Sequence, residues 1–73
     1  MHKVRFETIN KVDFMYYWND DIKEEVEIYG RLNSNYAWEF CFGLTCIQDF
    51  VGNPVANAIN YLMEVQFDYE LQN

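Results

Sequence analysis

Apolar and polar side chains alternate with a period of two through much of the first half of this chain. Lys3-Val4-Arg5-Phe6-Glu7 does so. Glu25-Val26-Glu27-Ile28 continues through Tyr29 to Leu32, and Tyr36-Ala37-Trp38-Glu39-Phe40-Cys41-Phe42 repeats the pattern. Successive side chains of a strand point to opposite faces, so each stretch predicts a half-buried β-strand. Val12 to Trp18, rich in aromatics, predicts another. Asn33-Ser34-Asn35 reads as a hairpin connection, because Asn tolerates positive φ. Asp20–Tyr29 fits two descriptions. Asn19 as a cap, acids in the first turn and Gly30 as a stop suit a short helix. Alternation that runs past Gly30 into the hairpin favours strand from Glu24 onward.

The period changes at the single proline. Asn53-Pro54 reads as an N-cap followed by Pro at the first helical position. Val55, Ala58, Ile59, Leu62, Val65 and Tyr69 then recur on one helical face, with Asn57, Asn60, Glu64 and Asp68 opposite. A helix is expected from about Pro54 to Leu71. The predicted class is α+β: an antiparallel β-meander of three or four strands, with one C-terminal amphipathic helix packed on one face. At 73 residues the chain is expected to form a single small domain spanning residues 1–73.

Composition changes this picture in one respect. Fourteen residues are aromatic, six Phe, six Tyr and two Trp. Each ring buries about 150–250 Å² when covered, and a domain this small buries only about 60% of its unfolded surface. Some rings must therefore remain outside, available to a partner. Tyr16, Tyr17 and Trp18 cannot all face one side of a strand. Met63 and Phe67 fall four apart at the edge of the helix's apolar stripe, beside Ala56 and Asn60.

Net charge is −7, and its placement is uneven. All five bases lie in the first 31 positions, while Leu32 to Asn73 holds five acids and no Lys or Arg. Such a chain is repelled by nucleic acid and by anionic membranes and attracted to basic proteins. No targeting segment or membrane-length apolar run is visible, which predicts a cytoplasmic location. Cys41 and Cys46 lack zinc-site spacing and read as buried free thiols.

Chemistry for catalysis is sparse. There is one histidine, His2, and one serine, Ser34, which sits in a predicted turn. Neither a Cys–His nor a Ser–His pair has its context, so the chain reads as non-enzymatic. No glycine-rich phosphate loop is present. The spacing of Asp20, Asp21, Glu24 and Glu25 does not match a calcium loop, so neither a metal nor a cofactor is expected.

What remains is the disposition of the acids. On a strand Glu25 and Glu27 point the same way, about 6.8 Å apart. On a helix Glu64 and Asp68 share a face, separated by about 6 Å along the axis. No Lys or Arg stands at the usual neighbouring position to neutralise either pair. These intervals are of the order of the spacing between backbone phosphates, about 3.4 Å of axis per charge on each strand. A protein displaying carboxylates this way suits the basic channel of a nucleic-acid-binding complex. Asp20, Asp21, Glu24, Glu25, Glu27, Glu64 and Asp68 are the expected charges, and Tyr17, Trp18 and Phe67 the expected anchors.

In size, acidity and want of catalytic residues the chain is similar to small phage-encoded inhibitors of host defence, including anti-CRISPR and anti-restriction proteins that imitate DNA. That likeness, one of composition over the whole chain, implies an inhibitor that binds the basic surface of a nucleic-acid-binding complex in the host cytoplasm. The alternative expectation is a non-catalytic interaction module or homodimer subunit whose acidity serves solubility.

Overall fold

A computed structural model describes residues 1–21 and 25–67. Strands β1 (His2–Ile9), β2 (Val12–Asn19), β3 (Val26–Arg31) and β4 (Glu39–Leu44) form one antiparallel sheet in the order β1-β2-β3-β4. The helix α1 (Asn53–Leu62) follows, and its last turn widens into a π-helical turn over Met63–Phe67. The α+β meander with one packed helix is therefore the architecture.

Local chemistry explains the elements. β1 and β2 are joined by a two-residue turn in which Asn10 and Lys11 both have positive φ, 53° and 67°. That conformation matches the twist of the strands it connects. Along β2 the alternation buries Val12, Phe14 and Tyr16 on one face. Ile28 and Gly30 do the same along β3, with no room for a larger residue at the glycine: a Cβ there would lie 2.5 Å from Leu62 Cδ1.

Val55, Ala58 and Leu62 of α1 close over this face. Phe50, from the connection before the helix, fills the centre. Its ring meets Phe14 edge-on at 5.0 Å between centroids and Tyr16 at 5.7 Å, geometries that rings prefer over flat stacking. The helix covers β3 and β4, leaving β1 exposed from His2 to Thr8.

The boundaries differ from expectation in four places. Strand β3 begins at Val26, so Glu25 precedes it, and Glu24 lies outside the described residues. β4 starts at Glu39 instead of Tyr36, because residues 32–38 form a wider connection held by an Asn33 Oδ1 bond from the Asn35 N–H at 2.9 Å. Gly52, at φ 67°, caps the helix in place of Asn53, which becomes its first residue. The regular helix ends at Leu62, and the expected continuation through Asp68, Tyr69 and Leu71 lies outside the described residues.

Gln66 is buried, 6% exposed, and fixes the far end of the helical segment to the sheet. Its Oε1 accepts from the Leu32 N–H at 2.8 Å, and its Nε2 donates to the Ala37 carbonyl at 3.2 Å. One side chain thus joins both ends of the β3–β4 connection.

Candidate functional site: the helix-free face of the sheet

One face of the sheet carries the helix; among the described residues no helix or strand packs on the other. Strand register fixes what stands there. Phe6 pairs with Met15, Met15 with Tyr29, and Tyr29 with Phe40, so these four residues form a row straight across all four strands. Phe6 is 62% exposed and Phe40 48%. Tyr29 and Phe40 meet edge-on, 5.5 Å between centroids. Pairing is interrupted once: Ile28 faces Phe42 and Tyr29 faces Phe40, leaving Cys41 as the extra residue of a bulge. That bulge turns Phe40 onto the open face.

A polar row runs beside the aromatic one. Thr8 pairs with Asp13, and Asp13 with Arg31. The Thr8 hydroxyl donates to Asp13 Oδ1 at 3.1 Å and Arg31 Nε donates to Asp13 Oδ2 at 3.2 Å. Trp38 lies over the Arg31 guanidinium, 4.2 Å from ring centroid to Cζ, and its ring also meets Phe6 at 5.9 Å. The guanidinium is thus occupied by a carboxylate and a π face together. An open recess of about 530 Å³ lies along this row, between Phe6 and Trp38.

The third row, Val4, Tyr17, Glu27 and Gly43, leads to the acidic end. Glu27 accepts from the Tyr29 hydroxyl at 2.5 Å, and this bond raises the Tyr29 pKa above its ordinary value. Glu25 lies against Gly43, filling the space a side chain there would take, which sets it beside Glu27. Asp20 and Asp21 follow β2 at the same end. Both approach the Met1 ammonium, and Lys3 Nζ stands 3.8 Å from Asp20.

The structure therefore brings Asp20, Asp21, Glu25 and Glu27 to one end of the sheet, two of them already paired. Glu64 is exposed on the helical layer, two residues from Gln66 and so toward the opposite, β3–β4 end. Glu24 and Asp68 lie outside the described residues. Of the expected anchors, Tyr17 is on the open face, stacked on His2 at 5.3 Å. Trp18 packs against the core from the other face, and Phe67, 48% exposed, stands on the helical layer. Phe6, Trp38 and Phe40 were not anticipated. Only the register aligns Phe6 and Phe40 with Met15 and Tyr29, and Trp38 joins them through its contacts with Phe6 and Arg31; register is a tertiary property.

Neither cysteine is buried as expected. Cys46 is exposed and Cys41 half-buried; both are free. Burial, then the nearby Glu39 charge, pushes the Cys41 thiol up to about 11. Among the described residues no group of three His, Cys, Asp or Glu side chains is placed to hold a metal ion. No described helix is long and apolar enough to cross a membrane. No family model, curated protein or solved structure matches this chain.

Proposed function

We propose that this chain is a small, non-catalytic acidic binding protein whose helix-free sheet face docks on a basic protein surface, and that it inhibits a nucleic-acid-binding complex of a host cytoplasm, as phage-encoded anti-CRISPR and anti-restriction proteins do. One observation carries the reading. Among the described residues an open row of large side chains, Phe6, Met15, Tyr29 and Phe40, adjoins the carboxylates Glu25 and Glu27, while Arg31 on that face is held by Asp13 and Trp38. Aromatic side chains supply contact energy at the centre of an interface. Carboxylates at its rim steer a cationic partner, an attraction that salt weakens. The net charge of −7 disfavours nucleic acid itself as the ligand.

A cellular assay tests this. The chain is expressed in bacteria carrying a restriction or an RNA-guided defence system, and the plating efficiency of a targeted phage is measured. Plating rises with the wild-type chain against at least one system, and falls back with Phe6→Ser/Phe40→Ser. Unchanged plating across the panel overturns the inhibitor reading. The second reading, an interaction module or subunit whose acidity confers solubility, is favoured by the pairing of Asp20 and Asp21 with the Met1 ammonium, which removes part of the field a basic partner would meet.

A further inference from the structure

Among the described residues, strand β1 is an open edge. All of His2–Thr8 is exposed, the strand holds neither proline nor bulge, and β2 is the element it packs against extensively. The direction of its free backbone groups follows from the turn. In a two-residue hairpin the residues flanking the loop, Ile9 and Val12, exchange main-chain hydrogen bonds, as does every second pair from there. The Asp20 N–H donates to the Met1 carbonyl at 3.1 Å, which continues that series. The odd residues of β1 are therefore bonded to β2, and His2, Val4, Phe6 and Thr8 direct N–H and C=O groups outward.

We infer that β1 pairs with β1 of a second copy, antiparallel and two-fold about Phe6, to make a continuous eight-stranded sheet. The charges select this register. With Phe6 opposite Phe6 of the second copy, Val4 meets Thr8 through the outward backbone groups. Arg5 then meets Glu7 twice, once on each side of the axis. Sliding to either adjacent two-fold register that preserves the bonding pattern sets Arg5 against Arg5, with Lys3, already 3.8 Å from Asp20, drawn toward Glu7, or sets Glu7 against Glu7. Opposite charges directly across a ladder stabilise it and like charges destabilise it. Charged residues on an edge usually guard against pairing; here the Phe6-centred register is the one of the three that matches opposite charges with no like pair. The other edge, β4, is shorter and broken by the bulge at Cys41, so it offers no such continuous ladder. Pairing about Phe6 places the two Phe6 rings at the centre of a joined helix-free face. This inference stands apart from the identity of any basic partner.

Sedimentation equilibrium of the full chain over a concentration series is the test, with circular dichroism to verify folding. The wild type shows a reversible monomer–dimer equilibrium. Arg5→Glu weakens the dimer about tenfold or more, since two attractive pairs become repulsive; Glu7→Arg does likewise, and its loss of the Tyr16 hydroxyl bond is read separately as a lower Tm. The double variant Arg5→Glu/Glu7→Arg recovers at least most of the loss. Phe6→Pro deletes an outward N–H without touching a bond to β2, and so yields a folded monomer. A wild type that stays monomeric at every concentration overturns the inference. So does a double variant no tighter than the single ones, or a folded Phe6→Pro chain that dimerises like the wild type.

Discussion

Gln66 makes the most demanding polar contact of this fold, because a buried polar side chain in a helical apolar stripe must be matched on the sheet. Replacing it with Met keeps the length and apolar bulk but removes the acceptor for the Leu32 N–H and the donor to the Ala37 carbonyl, bonds of 2.8 and 3.2 Å. Each bond contributes about 1 kcal/mol net, and leaving a partly buried partner unmet adds to that. The expected loss is about 2 kcal/mol, which in a domain of this size lowers Tm by about 8–16 °C. Gln66→Glu supplies a finer probe. An ionised carboxylate still accepts from Leu32 but confronts the Ala37 carbonyl with a second acceptor. Only the protonated acid restores that bond, so its folded pKa is raised above the unfolded value. The acid form's stability is present below the unfolded carboxylate pKa and is lost as pH rises through the folded one. Urea denaturation followed by circular dichroism measures both variants against the wild type over pH. A Gln66→Met unfolding free energy within about 0.5 kcal/mol of wild type, or a Gln66→Glu chain whose deficit does not shrink in acid, would refute the reasoning.

Other outcomes follow from single contacts. Burial and then the bond to Glu7, 2.7 Å from hydroxyl to Oε2, raise the Tyr16 pKa well above its ordinary 10.0. Stability tied to this hydroxyl is present below the unfolded value and lost as pH climbs above about 10; Tyr16→Phe therefore flattens the alkaline fall in urea midpoint, and an unchanged slope contradicts the assignment. A thiol reagent modifies exposed Cys46 before Cys41, whose thiolate is disfavoured by burial and the Glu39 charge; equal rates, read by mass spectrometry of digests, would count against the burial described. Gly30→Ala forces a methyl toward Leu62 Cδ1 and Phe14 and costs about 1–3 kcal/mol, measurable as a lower Tm. A variant as stable as the wild type would mean that helix and sheet are packed more loosely.

How much of this was legible in the chain depends on the range of the interaction. The alternation of Val12–Trp18 and the recurrence of Val55, Ala58 and Leu62 are local signals, and the elements and their buried faces followed from them. Phe50 carries no such signal: it stands alone in an irregular connection, and only rings brought to it from β2 and β4 make it central. Gly52 displaced Asn53 as cap because its positive φ turns the chain into the helix, a conformation that glycine adopts freely. Asp20, Asp21 and Glu25 of the β2–β3 connection are close in sequence, and the fold keeps them at one end of the sheet. Glu64 was grouped with them by charge alone, and the fold carries it to the other layer. The row Phe6, Met15, Tyr29 and Phe40 draws one residue from each strand, so no window of sequence contains it.

Competition with DNA tests the central claim most directly. Purified restriction and RNA-guided nucleases are bound to a fluorescent DNA duplex, and the chain is titrated in at rising ionic strength while anisotropy is followed. Displacement from at least one nuclease at low salt is predicted, weakening steeply as salt screens the carboxylates. Phe6→Ser/Phe40→Ser and Glu25→Lys/Glu27→Lys each weaken it. Displacement indifferent to salt and to both pairs of substitutions, or none from any nuclease, contradicts the docking face described.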